Sequence, residues 1–353
     1  MSDMRERQYL VIGGTTKSAT TSLYYYLADH PDVCPSSMKE TRFFIDEDYP
    51  VQPGSPIGWT NAPAKFDETY IPNASETYRL EATPDYLYSV GTPQRLKEML
   101  PAAKVIFLLR DPITRMVSWY KYAKQRADIS DTMSFEEYVD KQLSQDYFEA
   151  AKQGRIELTK AAQAAGQERD LSIPPGYFFC ALEHGLYADY LQKYFDALGR
   201  ENVKVCFYED LCTDPKQMLM DVCSFASLSS DFYQDYSFKV FNRSRAMKNA
   251  RLNRAYTSLR SSIRKRTHNL PIHKGLRQLR LWTDPLYYRL NGQSMDKVEI
   301  SPSTREKLEN YYRADVEKLK AMLGCSLPWS TATQDTKAFD PGAVGKTSQM
   351  KSA

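Results

Sequence analysis

Short apolar runs that alternate with stretches of helical periodicity dominate the pattern of this chain. Four runs rich in Val, Ile, Leu, Phe and Tyr are typical of strands buried in a parallel sheet; they cover residues 9–14, 78–81, 104–109 and 203–208. Helices are predicted after three of them, at residues 20–29, 113–125 and 215–225. Because alternating strands and helices form right-handed crossovers, the pattern predicts a three-layer α/β fold, with helices on both faces of a central parallel sheet.

Two regions depart from this alternation. The segment of residues 126–176 is long and polar, and we interpret it as a helical insertion that lies over the sheet as a lid. Near the C-terminus, apolar residues at helical spacing predict a helix that Gly324 closes; they are Leu308, Tyr312, Val316, Leu319 and Leu323. Few apolar residues follow Trp329, so we expect one domain over residues 1–332 and a disordered tail over residues 333–353.

Composition allows a sizeable core, and the small net charge conceals a strong segregation. Of the 353 residues 42% are hydrophobic, and the formal net charge is +3. Residues 243–280 contain 12 Lys or Arg and no Asp or Glu, which leaves a net charge of −9 for the rest. We expect a basic helical region over residues 243–300. It is either a solvated helical face or a surface for nucleic acid or an anionic membrane.

The cysteines and the N-terminal residues indicate the cellular compartment of the protein. The six cysteines form no C-x-x-C pair, and no His stands at zinc-ligand spacing beside them, so we expect free thiols and no metal site. Residues 1–8 are polar, and the apolar run that follows is too short for a signal sequence or a membrane span. The sequence therefore predicts an unprocessed, soluble, cytoplasmic protein.

A loop suited to phosphate stands between the first strand and the first helix. Residues 13–22 read Gly-Gly-Thr-Thr-Lys-Ser-Ala-Thr-Thr-Ser, with Lys17 at the centre and hydroxyls in the first helical turn. Small residues let backbone N–H groups face an anion, and the helix N-terminus adds a favourable dipole. The loop is thus P-loop-like. It is not a Walker A motif, because Thr16 stands where that motif requires Gly, and the paired threonines come three and four residues after Lys17.

A second motif follows the strand at residues 104–109. Arg110-Asp111-Pro112 leaves the C-terminal end of that strand, where open α/β sheets bind their ligands. Ser118 comes eight residues after Arg110, about two helical turns, and could face the same phosphate. An aspartate after an apolar strand also resembles a Walker B motif, so a P-loop nucleotide kinase remains an alternative at this point.

Together the two motifs resemble those of the sulfotransferases that use 3′-phosphoadenosine 5′-phosphosulfate (PAPS). The phosphosulfate loop of that family is matched by Lys17, Thr20 and Thr21, and its 3′-phosphate motif by Arg110, Arg115, Ser118 and Tyr120. Three further segments look like the branch that contains heparan sulfate sulfotransferases and many bacterial relatives; they are residues 30–33, 39–44 and 81–86. Two more, residues 185–187 and 208–211, also resemble the family.

The resemblance implies a sulfotransferase that converts PAPS to 3′-phosphoadenosine 5′-phosphate (PAP), without a metal. The acceptor would be a hydroxyl or amine of a small molecule or glycan. Lys17 would stabilise the leaving phosphate, and Glu81 would be the general base, with His184 and Asp85 as alternatives. The residues expected to bind the cofactor are Lys17, Ser18, Ala19, Thr20, Thr21, Ser22, Arg110, Ser118, Tyr187, Arg243, Arg245 and Lys248.

One position departs from the branch. Ala82 stands directly after Glu81, where the branch often has Lys. The missing charge argues against a heavily sulfated polysaccharide as acceptor. The alternatives to a sulfotransferase are the kinase and a non-enzymatic protein that binds anions or nucleic acid through residues 243–280, and of these nucleic-acid binding is the less favoured.

Overall fold

Five parallel strands form the centre of the molecule. The computed structural model describes residues 7–50, 66–70, 77–126, 128–166, 174, 176–239 and 297–329, with a few isolated positions between 246 and 293. The sheet has the strand order β2-β3-β1-β4-β5. The strands are β1 (Gln8–Gly14), β2 (Val33–Pro35), β3 (Tyr78–Ala82), β4 (Lys104–Leu109) and β5 (Val203–Phe207). The four predicted strands are confirmed, whereas β2, only three residues long, was not predicted.

Helices cover both faces of the sheet, as the apolar runs predict. The α-helices are α1 (Thr20–Ala28), α2 (Thr92–Met99), α3 (Pro112–Arg126), α4 (Phe135–Leu143), α5 (Tyr147–Ala164), α6 (Ala188–Leu198), α7 (Tyr208–Thr213), α8 (Pro215–Ala226) and α9 (Pro302–Leu323). Short 3₁₀ helices lie at Pro84–Tyr88, Tyr177–Phe179, Glu183–Gly185, Arg200–Asn202 and Asp231–Tyr233.

The alternation of side chains along β1 divides the core into two layers. Successive side chains of a strand point to opposite faces of the sheet. Tyr9 and Val11 belong to one buried cluster, with residues of α2 and α6. Leu10 and Ile12 belong to another, with residues of α1 and α8. Both faces of the sheet are therefore covered, and the three-layer α/β architecture is confirmed.

Helix α9 lies near the end of the described chain, and its position agrees with the helix that the apolar periodicity predicts. Ser301 caps its N-terminus, because the Ser301 side chain accepts a hydrogen bond from the Thr304 amide at 3.2 Å. Gly324 ends it with a left-handed φ of 67°. The side chains of Leu308, Tyr312 and Leu319 are buried, so the predicted apolar face packs against the domain.

The region predicted as an insertion contains α4 and α5. A capping box at Ser134 and Glu137 begins α4, and its Phe135 and Tyr138 pack with Trp119 and Tyr120 of α3. A lid function for this region stays a prediction. The basic region lies mostly outside the described residues; the structure describes there a two-residue antiparallel pairing of Ala246–Met247 with Gly292–Gln293. The predicted tail also lies outside the described residues.

Close packing at the end of β1 requires a glycine. A Cβ on Gly13 would lie 2.6 Å from the ring of Phe107, a core residue of β4. The backbone of β1 therefore approaches β4 more closely than a side chain would allow, at the point where the chain turns toward Lys17. All six cysteines are free, and Cys206 is buried in the core.

Candidate functional site

The predicted phosphate loop lies between β1 and α1 at the carboxyl edge of the sheet. It is joined to β4, because the Thr15 amide donates a hydrogen bond to the Leu108 carbonyl at 2.9 Å. Thr15 Oγ1 and Ser18 Oγ lie 2.6 Å apart, both buried. Lys17 and Ala19 have left-handed φ values of 69° and 62°, which cost about 1–2 kcal/mol per non-glycine residue. The surrounding structure holds the loop in this conformation before any ligand binds.

Lys17 lies at the centre of the loop, over an aromatic ring. Its Nζ is 4.3 Å from the ring centroid of Tyr122 on α3, a cation–π contact. Burial, with a smaller contribution from the Arg110 charge, lowers the pKa of Lys17 to about 8. The ammonium is therefore less favoured here than in water, as is expected of a cation placed to receive an anion.

Arg110 reaches the same loop from the end of β4. Its Nη1 donates to the Lys17 carbonyl at 3.1 Å, and its Nε donates to Thr114 Oγ1 at 3.2 Å. Its guanidinium carbon lies 4.2 Å from the ring centroid of Tyr208. The structure thus brings the two sequence motifs together. Within the described part of the chain, neither Lys17 nor Arg110 forms an ion pair with a carboxylate.

In the described part of the chain, a buried hydroxyl beside these cations also lacks a partner. Thr16 Oγ1 neither donates nor accepts a hydrogen bond among the described residues. Buried hydroxyls are normally paired. Within the described residues, two cations without a counterion, a hydroxyl without a partner and a helix N-terminus together suit a polyanion with phosphate groups. These residues therefore fit the nucleotide that the resemblance implies.

The other residues predicted to bind the cofactor have different positions. Ser18, Thr20 and Ser22 are buried, and Ala19, Thr21 and Ser118 are partly buried. Tyr187 is fully buried, and its hydroxyl donates to the Arg110 carbonyl at 2.9 Å, so it lies behind Arg110. Arg243, Arg245 and Lys248 lie outside the described residues. Of the remaining motif residues, Arg115 is buried and donates to the Ala181 carbonyl, and Tyr120 donates to the Met133 carbonyl at 2.6 Å.

Glu81, the predicted general base, is fully buried and hydrogen-bonded. Its side chain has 0% exposure. Its Oε1 accepts hydrogen bonds from Thr41 Oγ1 at 2.8 Å, Thr83 Oγ1 at 2.7 Å and the Tyr86 hydroxyl at 3.1 Å. Its Oε2 has no partner among the described residues. Burial raises the pKa of Glu81, and the hydroxyl contacts reduce that shift.

The two alternative bases share a tyrosine. The Tyr49 hydroxyl donates to Asp85 Oδ1 at 3.1 Å and lies 3.4 Å from His184 Nε2. Burial raises the pKa of Asp85 to about 6, against the Arg42 charge. The His184 ring stacks on Tyr88 at 4.1 Å. Burial, and then the Arg115 charge, hold the pKa of His184 well below its usual value, so His184 is neutral at pH 7.

A carboxylate that the sequence analysis did not single out lies nearer the surface. Glu40 forms ion pairs with Lys39 at 2.6 Å and with Arg42 at 3.4 Å, and 35% of its side chain is exposed. Burial opposes its ionisation, but the Lys39 and Arg42 charges outweigh burial and hold the pKa of Glu40 below its ordinary value. Its position within residues 39–44, a segment that carries the resemblance, is the signal that could have identified it.

The loop that carries Glu40 borders the phosphate loop. The Glu40 amide donates to the Ala82 carbonyl at 3.0 Å, and the Thr83 amide donates to the Ile12 carbonyl at 3.1 Å, so the ends of β3 and β1 lie side by side beneath it. Glu40 and Arg42 have left-handed φ values of 64° and 54°. Such strain at non-glycine residues is concentrated at functional sites.

Comparison with known proteins identifies this arrangement. The sequence model of the sulfotransferase domain family matches residues 7–269. The chain belongs to the sulfotransferase family. The matched residues include both the phosphate loop and the turn at Arg110, so the family to which the two motifs pointed is confirmed.

Individual relatives of this sulfotransferase agree with the family match. The membrane-associated sulfotransferase kil1 of Dictyostelium discoideum is 26% identical over 279 residues, which cover 64% of this chain and 57% of kil1. The human bifunctional heparan sulfate N-deacetylase/N-sulfotransferase 1 is 26% identical over 239 residues, which cover 65% of this chain and 23% of that enzyme. The chain thus spans less than two thirds of the length of each of these curated relatives.

A solved structure supports the fold over nearly the whole chain. A sulfotransferase from Alicyclobacillus acidocaldarius is 25% identical, with a TM-score of 0.57 over 91% of this chain and 97% of that one. Among the described residues of this sulfotransferase, no helix has the length and hydropathy of a membrane span. The same part of the chain contains no group of three or more His, Cys, Asp or Glu side chains placed to hold a metal ion.

Proposed function

We propose that this sulfotransferase transfers a sulfuryl group from PAPS to a hydroxyl or amine of a small-molecule or glycan acceptor. The observation that carries the proposal is the juxtaposition of Lys17 and Arg110, two cations without a described ion pair at the carboxyl edge of the sheet. PAPS is a polyanion with phosphate at two positions, and it supplies the activated sulfuryl group. The family match supports sulfuryl transfer.

The phosphate loop and Arg110 would divide the binding of the nucleotide between them. Lys17 and the loop residues Ser18, Ala19, Thr20, Thr21 and Ser22 would hold the 5′-phosphosulfate. Arg110 and Ser118 would hold the 3′-phosphate, the first through charge-assisted hydrogen bonds. Arg243, Arg245 and Lys248 stay predicted contacts. As the bond to sulfur breaks, negative charge would grow on the departing phosphate oxygen, and the Lys17 ammonium would stabilise it.

The acceptor must lose a proton, and we propose Glu40 as the base that takes it. An acceptor that arrives from solvent reaches Glu40, with 35% of its side chain exposed, more readily than Asp85 at 4% or Glu81 at 0%. The Lys39 and Arg42 charges keep Glu40 ionised at neutral pH, so its carboxylate can take up a proton, and the same charges lower its proton affinity. Glu81, whose Oε1 accepts three hydroxyl hydrogen bonds, would then position Thr41 at the root of the Glu40 loop.

The kinase alternative requires a hydroxyl that is free to ligate magnesium directly after the lysine. Ser18 occupies that position, but its hydroxyl is buried and lies 2.6 Å from Thr15 Oγ1. This contact supports sulfuryl transfer over phosphoryl transfer. The printed name of the human relative connects it with heparan sulfate. Because Ala82 stands where the branch often has Lys, we propose a less heavily sulfated acceptor for this chain.

Binding of PAP to the purified protein tests the proposed site. Wild type is expected to bind PAP in a calorimetric titration, and Arg110→Ala to weaken binding by about 10- to 100-fold, because a charge-assisted contact is lost. Arg200→Ala is the matched control, since Arg200 also lies over a ring, 4.3 Å from the centroid of Phe195. Magnesium-dependent ATP hydrolysis by a wild type that does not bind PAP would overturn the proposal.

The lowered pKa of Lys17 predicts an alkaline limit to activity. With a pKa of about 8 in the free enzyme, Lys17 is charged below that pH and becomes neutral above it. The value of kcat/KM for PAPS reports groups of the free enzyme, so it should fall as pH rises through about 8. Lys17→Arg should remove this fall in kcat/KM at alkaline pH, because arginine stays protonated. A wild-type profile that stays flat well above pH 8 would contradict the prediction.

A further inference from the structure

The turn at Arg110 and Asp111 is supported from behind by residues near the end of the described chain. Asp315 of α9 is the first of these supports. Its carboxylate accepts hydrogen bonds from the Tyr187 amide at 2.8 Å and from the Ala188 amide at 3.0 Å. These are the first amides of α6, where a negative charge is also favoured by the helix dipole. The Tyr187 hydroxyl in turn donates to the Arg110 carbonyl at 2.9 Å.

Trp329 provides a second support through different atoms. Its Nε1 donates to Glu209 Oε2 at 3.3 Å, and Glu209 Oε1 accepts a hydrogen bond from the Asp111 amide at 3.1 Å. The Trp329 ring also packs against Tyr187, with the ring centroids 5.9 Å apart. Glu209 follows Tyr208, the ring on which Arg110 stacks. Each support therefore ends on the backbone of the Arg110–Asp111 turn, at the carbonyl of one residue and the amide of the next.

From these contacts we propose that residues 302–329 form a C-terminal brace that sets the position of Arg110 and thereby the affinity for the nucleotide. Asp315 and Trp329 are its positioning residues, and Tyr187 is the link between Asp315 and the turn. The inference rests on the proposed role of Arg110 at the 3′-phosphate. The brace lies beyond residues 7–269, the part of the chain that the family model matches.

The physical reason is pre-organisation. A guanidinium binds phosphate best when its backbone and rotamer are already placed, since binding then costs little ordering entropy. Without Asp315, two buried amides at the start of α6 lose their acceptor, and the position of Tyr187 is no longer fixed. The Arg110 carbonyl then loses a fixed donor. The effect should appear in nucleotide affinity, while the acceptor side of the site, at Glu40 and Asp85, is unaffected.

Titration of PAP into the full chain tests the brace. Asp315→Ala, Trp329→Phe and Tyr187→Phe each remove one connection, and Tyr187→Phe deletes only the hydroxyl that reaches Arg110. Asp315→Ala and Tyr187→Phe are expected to raise the Kd for PAP by about tenfold and Trp329→Phe by about threefold, as the loss of one or two hydrogen bonds predicts. The KM for PAPS should rise in parallel, with the KM for the acceptor unchanged.

A double variant and a matched control separate positioning from general stability. Asp315 and Tyr187 act in series, so Asp315→Ala with Tyr187→Phe should weaken PAP binding no more than the larger single change does. Lys318→Ala breaks the exposed ion pair between α9 and Asp189 of α6, and it should leave PAP affinity unchanged. If Asp315→Ala fails to fold, the PAP affinities of Tyr187→Phe and Trp329→Phe test the brace.

The outcomes that overturn the brace differ from those that overturn the site. If Arg110→Ala weakens PAP binding while Tyr187→Phe and Trp329→Phe bind PAP as wild type does, the brace is wrong and the site stands. A lowered melting temperature with unchanged PAP affinity in all three brace variants leads to the same conclusion. If Arg110→Ala binds PAP as tightly as wild type, the proposed role of Arg110 fails, and the brace fails with it.

Discussion

Lys17→Ala is expected to lower kcat by about 10²- to 10³-fold, the usual effect of removing one preorganised group that stabilises charge in the transition state. The expectation rests on the position of Lys17 in the phosphate loop, over Tyr122 and beside Arg110. Because the charge on the departing phosphate oxygen grows during the reaction, the loss should fall mainly on kcat. Rates of ³⁵S transfer at saturating PAPS provide the measurement.

Lys104→Ala is the control for this prediction. Lys104 also lies over a ring, with its Nζ 4.8 Å from the centroid of Phe225, but it stands at the first residue of β4, the opposite end of the strand from Arg110. Its replacement should leave kcat within about twofold of wild type, as is usual for a surface change remote from the chemistry. A Lys17→Ala enzyme with nearly full kcat and only a raised KM for PAPS would show that Lys17 binds the cofactor without assisting the chemical step.

Glu40→Gln is expected to lower kcat by about 10²- to 10⁴-fold, the range that general-base catalysis contributes. Glutamine keeps the size of the side chain, and its carbonyl oxygen can still accept a hydrogen bond from Lys39 or from Arg42, which donate to different oxygens of Glu40. Glutamine cannot take up the proton of the acceptor. Transfer assays with a panel of hydroxyl and amine acceptors, at saturating PAPS, measure the loss, and an unchanged affinity for PAP shows that the nucleotide site is intact.

Two further variants separate Glu40 from the other carboxylates. Glu81→Gln buries an amide donor where Oε2 now lies, and it should lower the free energy of unfolding by about 1–3 kcal/mol, with a smaller effect on kcat than Glu40→Gln. Full activity of Glu40→Gln together with an inactive, folded Glu81→Gln would assign the base to Glu81. The acid limb of kcat/KM is a second test, because a limb near pH 6 that Asp85→Asn removes would assign the base to Asp85.

The phosphate loop and the turn at Arg110 were predictable because their chemistry is local. A buried strand, a run of small residues with one lysine and a helical turn of hydroxyls follow one another in residues 9–22. An arginine after the next strong strand must come to the same sheet edge, because parallel strands end at one edge. The contact between Arg110 and the Lys17 carbonyl at 3.1 Å is a consequence of that rule.

The proposed base, Glu40, was harder to predict because its suitability depends on burial, which no local pattern reveals. Glu81 ends a strand on the expected edge, but three hydroxyls from Thr41, Thr83 and Tyr86 enclose it. Glu40 stands in an irregular loop with no periodicity to interpret. Only the packing of that loop against β3 leaves Glu40 partly exposed beside Arg42.

The sequence by itself predicted the layers of the fold, four strands to within one residue at each end, and a place for a phosphate-bearing ligand. These depend on hydrophobic periodicity and on groups close together in the chain. Tertiary structure alone decided which carboxylate faces solvent and that Tyr187 lies behind Arg110. It also connected Asp315 and Trp329, more than a hundred residues away, to the Arg110–Asp111 turn through Tyr187 and Glu209. Such contacts depend on how α6 and α9 pack in three dimensions, and they cannot be predicted from the spacing of residues along the chain.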